Sequence, residues 1–122
     1  PDDVVFDGLH GPYVPCKYAP HGPGSLVSFW RSAENFKRAG SMVWAVSQAA
    51  PLRKVHVTGD LALGENGCWS SGGFLGNSVV EGSVDGGTQQ QWLTRSSQVG
   101  SWKNGDWSAV FVGVDNQQEQ CN

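Results

Sequence analysis

The chain has 122 residues, a mass of 13.1 kDa and a net charge of −3, with eight Lys and Arg scattered along it. That size fits one domain, 1–122, and the charge supplies no basic footprint for a phosphate backbone or an anionic lipid surface, so nucleic acid and membrane are not expected as partners. The apolar runs also fall short of the ~18 residues of a membrane span. With 17 Gly, six Trp and few helix-favouring runs, the composition predicts a mainly β protein of short strands and many turns.

The first residues, PDDVVFDG, carry neither a basic end nor an apolar signal core, so an export signal is either already removed or never existed. The apolar run Val4–His10 is followed by GPYVPCKYAPHGPG, residues 11–24, which holds four of the six prolines among glycines. Proline fixes φ and donates no hydrogen bond, so this stretch is expected as a long surface loop. In SLVSFWRSAENFKRAG two readings compete: a helix from Arg31 to Arg38 with Ser32 as its N-cap, or a strand ending at Trp30 with a short turn behind it, the second being preferred.

From Ser41 the β signal strengthens through SMVWAVS, RKVHVTGDLAL after a proline break at Pro51, and GGFLGNSVVEGSV after the loop GENGCWSS. Val55 and Val57 alternate with Lys54, His56 and Thr58, the pattern of a half-buried strand. The runs SMVWAVS and WSAVFVGV are almost continuously apolar, which suits strands covered on both faces. Between QQQWLTR and WSAVFVGV, the stretch SSQVGSWKNGD has the Gly, Ser, Asn and Asp content of a connection.

A loose recurrence emerges when the aromatics Trp30, Trp44, Phe74, Trp92 and Phe111 are aligned, at intervals of 14, 30, 18 and 19 residues. An inward apolar ladder at each turn, with loops of varying length between, predicts a short right-handed parallel β-helix. An antiparallel β-sandwich is the alternative.

The candidate chemistry is sparse. His10, His21 and His56 lack metal-ligand spacing, and Cys16, Cys68 and Cys121 contain no CxxC pair, so no metal and no cofactor are expected. One disulfide with a free thiol and three separate thiols remain equal alternatives. Trp30, Trp44 and Trp92 lie inside apolar runs and read as core. Trp69, Trp102 and Trp107 lie in or beside polar loops, where an exposed indole can stack on a sugar face or simply cap the core. Period-two alternation sends Gln89 and Gln91 to one face and Gln90 to the other, where they form either an amide ladder between turns or a set of sugar contacts. Glu34, Asp85 and Asp106 are the carboxylates near the aromatic runs, and all three read as turn or cap residues.

The ordered set FWRSAENF, MVWAVSQAAPLRKVHVTG, CWSSGGFLGNSVVEGSV, QQQWLTR and WSAVFVGV resembles a segment of the first β-helix of the β-1,3-glucanases of glycoside hydrolase family 55, related to secreted pectin-lyase-like repeat proteins. The resemblance covers roughly Val4 to Val114 and implies a secreted, carbohydrate-binding, lectin-like surface for β-glucan. Such enzymes act by inversion, which needs a carboxylic acid and a water held on opposite faces of the sugar. By resemblance, Gln89 and Gln91 match the amides that help hold that water, and the general acid is expected from a second β-helical domain. The polar side chains of the next strand fall near Ala109 and Gly113, neither of which can hold a water. The substrate-binding candidates are therefore Gln89, Gln91, Trp69, Trp102, Trp107 and Asp106, with no catalytic residue assigned. A non-enzymatic assembly module, pairing as a homo-oligomer through open β edges, is the second class of function.

Overall fold

The computed structural model describes residues 31–46, 50–64, 69–70, 72–105 and 108–116. Among them lie ten strands: β1 Ala33–Arg38, β2 Met42–Val43, β3 Pro51–Val57, β4 Leu61–Ala62, β5 Phe74–Gly76, β6 Val79–Asp85, β7 Gln91–Arg95, β8 Gln98–Lys103, β9 Ser108–Val112 and β10 Asp115–Asn116. Every strand pairing is parallel. The chain winds as a β-solenoid of about four turns, as a short parallel β-helix requires. The Pro/Gly-rich stretch 11–24, Trp30, His10, His21 and all three cysteines lie outside the described residues.

The true register follows Ala33, Leu52, Leu75, Thr94 and Phe111, in steps of 19, 23, 19 and 17 residues. Aligning the aromatics does not reproduce it: Phe74 pairs with Leu93, and Trp92 pairs with Ala109. Backbone geometry marks the repeat instead. Carrying the register one residue past Glu34, Arg53, Gly76, Arg95 and Val112 gives Asn35, Lys54, Asn77, Ser96 and Gly113, and all five have φ between 49° and 61°. This stacked column of left-handed residues is the corner at which each turn bends from its first strand into its second. In β1 and β3 the strand runs straight through the corner. Asn35, at φ 61°, is also why Ala33–Arg38 is a strand: one left-handed residue ends a right-handed helix, whatever the helix preference of Ala33, Glu34 and Lys37. Both the helix and the turn expected over this stretch are thereby corrected.

Behind the corner the next column points inward: Phe36, Val55, Ser78 and Ser97 are all buried. In the third and fourth rungs serine replaces the apolar side chain and ties the stack together. Ser78 Oγ donates to Gly76 O at 2.8 Å and accepts from Val55 N at 3.2 Å. Ser97 Oγ repeats the motif one rung on, donating to Arg95 O at 2.9 Å and accepting from Ser78 N at 3.2 Å.

The interior is filled by apolar columns. Leu52 stacks on Leu75, Val57 on Val80 and Val99, and Met42 on Leu61 and Val84. Burying each such Leu or Val contributes on the order of 1.5–3 kcal/mol before chain entropy is charged. Val55 and Val57 point inward, as their alternation predicts, and Trp44 and Trp92 are core residues. Pro51 opens β3 rather than breaking the chain before it, because the first residue of a strand can dispense with a donor.

Two expectations for the later strands change. SSQVGSWKNGD is not only a connection: residues 98–103 form β8, with Val99 buried. Its loop-like glycine is a packing requirement, since a Cβ on Gly100 would stand 2.5 Å from Glu81 O and 2.6 Å from Gly82 O. WSAVFVGV is not covered on both faces either, for every residue of β9 is exposed. SMVWAVS is buried through Met42–Val46 apart from the half-buried Val43, but among its described residues only Met42–Val43 is strand.

Candidate functional site: the outer face of β7

β7 alternates as a strand with one covered face should. Trp92 and Thr94 are buried, and Gln91, Leu93 and Arg95 are exposed. Trp92 turns inward, and its Nε1 donates to Thr94 Oγ1 at 3.0 Å, which satisfies both buried polar groups. Across the outer face, parallel pairing sets Gln91 beside Ser108, Leu93 between Phe74 and Val110, and Arg95 between Gly76 and Val112. The Phe74 ring covers the space above Gly76, where a Cβ would come within 2.5 Å of it. The result is an apolar strip of Phe74, Leu93 and Val110 across three strands, flanked along β7 by the Gln91 amide on one side and the Arg95 guanidinium on the other. Trp69, 60% exposed, precedes Ser70, which bridges to Gln89 at the entry to β7.

The alternation fails just before β7 begins. Gln90 and Gln91 are both exposed, so Gln89 lies inside and Gln91 outside, and the two do not share a face. Gln89 is 2% exposed. Its Nε2 donates to Leu63 O at 2.9 Å, and its Oε1 accepts from Gly72 N at 3.0 Å. The amide thus bridges the backbones of two turns. Trp102 also departs from the picture of a loop indole: it is paired with the buried Val84 on the inner side of β8 and packs against the core. Its Nε1 donates to Asn104 O at 2.9 Å, and its ring meets Phe111 edge-on at 4.9 Å. Trp107 and Asp106 lie outside the described residues. Of the six candidates, Trp69 and Gln91 are exposed, Gln91 on the outer face of β7. Phe74, Leu93 and Arg95 were missed there, although the alternate places of QWLTR already marked two of them.

The described carboxylates are mostly engaged. Glu34 pairs with Arg53 at 3.1 Å across exposed strands, and Glu81 meets His56 Nε2 at 2.6 Å. Asp60 accepts from Ser83 N at 2.7 Å and from Ser83 Oγ at 3.0 Å, and the backbone bond first, then the hydroxyl, holds its carboxyl below the ordinary value. Partial burial pushes Asp85 up, but hydrogen bonds from Asn104 and Gly87 N–H and the charge of Lys103 outweigh it and leave the carboxyl lowered. Its bond from Gly87 N is the turn contact expected of it. Among the described residues no three His, Cys, Asp or Glu come together to hold a metal ion, and no helix is long and apolar enough to cross a membrane.

Against known proteins, the chain is 43% identical over 124 aligned residues, 98% of its length, to an exo-β-1,3-glucanase of Streptomyces sp. (strain SirexAA-E / ActE). The chain is similar to one segment of a β-1,3-glucanase. It spans only 20% of that relative's length. Among solved structures, sacteLam55A from Streptomyces sp. SirexAA-E superposes with a TM-score of 0.70 at 48% identity, over 76% of this chain and 18% of that one. A variant of sacteLam55A in complex with glucose superposes with a TM-score of 0.78 at 43% identity, over 98% of this chain and 22% of the other. No protein-family model matches the sequence. The described residues therefore carry the fold of that segment of the glucanase, which supports the ancestry read from the motifs.

Proposed function

We propose that this chain is a β-glucan-binding segment of glucanase type, secreted, which holds the sugar chain on the outer face of β7 and does not by itself supply the proton for cleavage. The observation that carries the reading is the match along 98% of the chain to an exo-β-1,3-glucanase, joined to a superposition on a relative in complex with glucose. The face has suitable chemistry. Phe74 and Leu93 offer apolar surface to the C–H side of a pyranose, Gln91 exchanges hydrogen bonds with hydroxyls, and the Trp69 indole extends the platform. An inverting glycosidase also needs a carboxylic acid that stays protonated near its working pH, hence a raised pKa. Asp60 and Asp85 shift the opposite way.

Laminarin binding to the parent chain and to Trp69→Ala and Gln91→Ala variants tests the proposal. Binding by the parent that falls at least fivefold in each variant, with no reducing sugar released, is the expected result. Absence of binding in the parent, or unchanged binding in both variants, overturns it. The assembly reading has one observation in its favour: β9 is exposed throughout, with Val110 at 54% and Val112 at 51%. A dimer in solution that dissociates in Val110→Lys would favour that reading instead.

A further inference from the structure

The second stack of strands carries a separate concavity, away from the β7 face. β6 contains a bulge: Val80 pairs with Val99 and Ser83 with Ser101, so Glu81 and Gly82 together oppose the single Gly100. Gly100 cannot be filled, as its crowding by Glu81 O and Gly82 O shows. Beside this bulge lies a groove of about 300 Å³, bordered by Val79, Glu81, Gln98, Gly100 and Asp115. Val79, Gln98 and Asp115 are successive members of one register row, so they line the groove at the ~4.8 Å spacing of neighbouring strands. Gln98 and Asp115 are exposed, and the Glu81 carboxylate meets His56 Nε2 of β3, across β6 from β8, at 2.6 Å.

The size lies at the low end of the ~300–1,000 Å³ typical of ligand pockets, enough for a monosaccharide-sized group. Its polar rim offers acceptors in the Asp115 carboxylate and the Gln98 amide oxygen, with the amide N–H₂ as a donor. The Asp115 carboxylate repels an anionic ligand. Hydroxyl groups, which donate to carboxylates and exchange hydrogen bonds with an amide, suit the rim, and Val79 gives the floor an apolar patch for a ring face.

We propose that this groove is a second carbohydrate site, which binds one neutral pyranose unit through its hydroxyls. It does not rest on the β7 reading, because the left-handed corner at Asn77 and Ser96 separates β5 and β7 from β6 and β8.

Amide chemical-shift mapping of the full chain during titration with glucose, laminaribiose, glucuronate and glucosamine tests it. Saturable shifts at Gln98, Gly100 and Asp115 with glucose or laminaribiose, and none there with glucuronate, are expected. Gln98→Ala and Asp115→Ala should each weaken this response about tenfold while the dispersed spectrum of the fold persists. Shifts confined to the Trp69 and Gln91 region, or a groove response unaltered in both variants, overturn the proposal. A groove that responds to glucosamine but not to glucose overturns it too, since charge and not hydroxyl recognition would then govern binding. Loss of laminarin binding in Trp69→Ala, with the groove shifts intact, would separate the two sites.

Discussion

Replacing Ser78 by Ala probes the corner that builds the solenoid. Ser78 is 3% exposed, and its hydroxyl serves two backbones at once, donating to Gly76 O at 2.8 Å and accepting from Val55 N at 3.2 Å. The methyl group fits the same space, so no cavity term enters and the loss is polar. A buried donor left without an acceptor costs about 1–3 kcal/mol, and the second bond is worth about 1 kcal/mol net. Removal of the hydroxyl relieves part of its own desolvation, which brings the expected loss to about 2–3 kcal/mol. With a urea m-value of ~1–3 kcal/mol/M for a chain of this size, the unfolding midpoint should fall by about 0.7–3 M at unchanged slope. Equilibrium urea unfolding followed by tryptophan fluorescence measures it. A loss below about 0.5 kcal/mol would refute the reasoning, because Val55 N–H would then have found another partner and the serine would not be tying the rungs.

The left-handed column predicts a gain: Lys54→Asn, at φ 51° on an exposed position, should raise stability by about 0.5–1 kcal/mol, seen as a higher thermal midpoint, and a lower midpoint would contradict the strain argument. Gln89→Leu removes both amide bonds and should cost about 2–4 kcal/mol in the same thermal assay, because Leu63 C=O and Gly72 N–H lose their partner; near-neutrality would mean that the bridge is dispensable. Asp85 has a folded pKa below its unfolded value, so its contribution is present above about pH 4 and lost as pH falls through the folded pKa. The urea midpoint measured between about pH 2 and 5 should therefore fall less steeply in Asp85→Asn than in the parent, and parallel curves would exclude the role.

What could be read in advance follows the physics of single strands. Val55 and Val57, and Trp92 and Thr94, alternate because one side of a solenoid strand is dry, and that period is visible in any window of five residues. The corner was invisible because Lys54 and Ser96 interrupt a column that Asn35, Asn77 and Gly113 would otherwise mark as left-handed. β8 was hidden for a related reason: Gly100 looks like a turn residue, and only the bulge in the neighbouring strand shows why nothing larger fits. At the candidate site, Trp69 was legible as an exposed indole. Gln89 was put on the same face as Gln91 because period-two alternation was extended beyond the strand, which starts only at Gln91; of its two readings, an amide that links turns is the one its hydrogen bonds fit.

The same separation bears on how such a segment can carry function. Its stability resides in columns that face inward or form the corner: Leu52 and Leu75, Val57 with Val80 and Val99, the two serines, and the Gln89 bridge. Neighbouring rungs supply most partners, so each turn is held chiefly by the turns beside it. The outward residues of β7 and of the β6–β8 bulge contribute little to that stack, and exposed ion pairs such as Glu34–Arg53 are worth only ~0–1 kcal/mol. Outer positions can therefore be exchanged for sugar-binding side chains at small cost in stability. Gly100 is the exception: it borders the groove, and the backbone of β6 leaves no room for a side chain there, so at this position the fold itself dictates the residue.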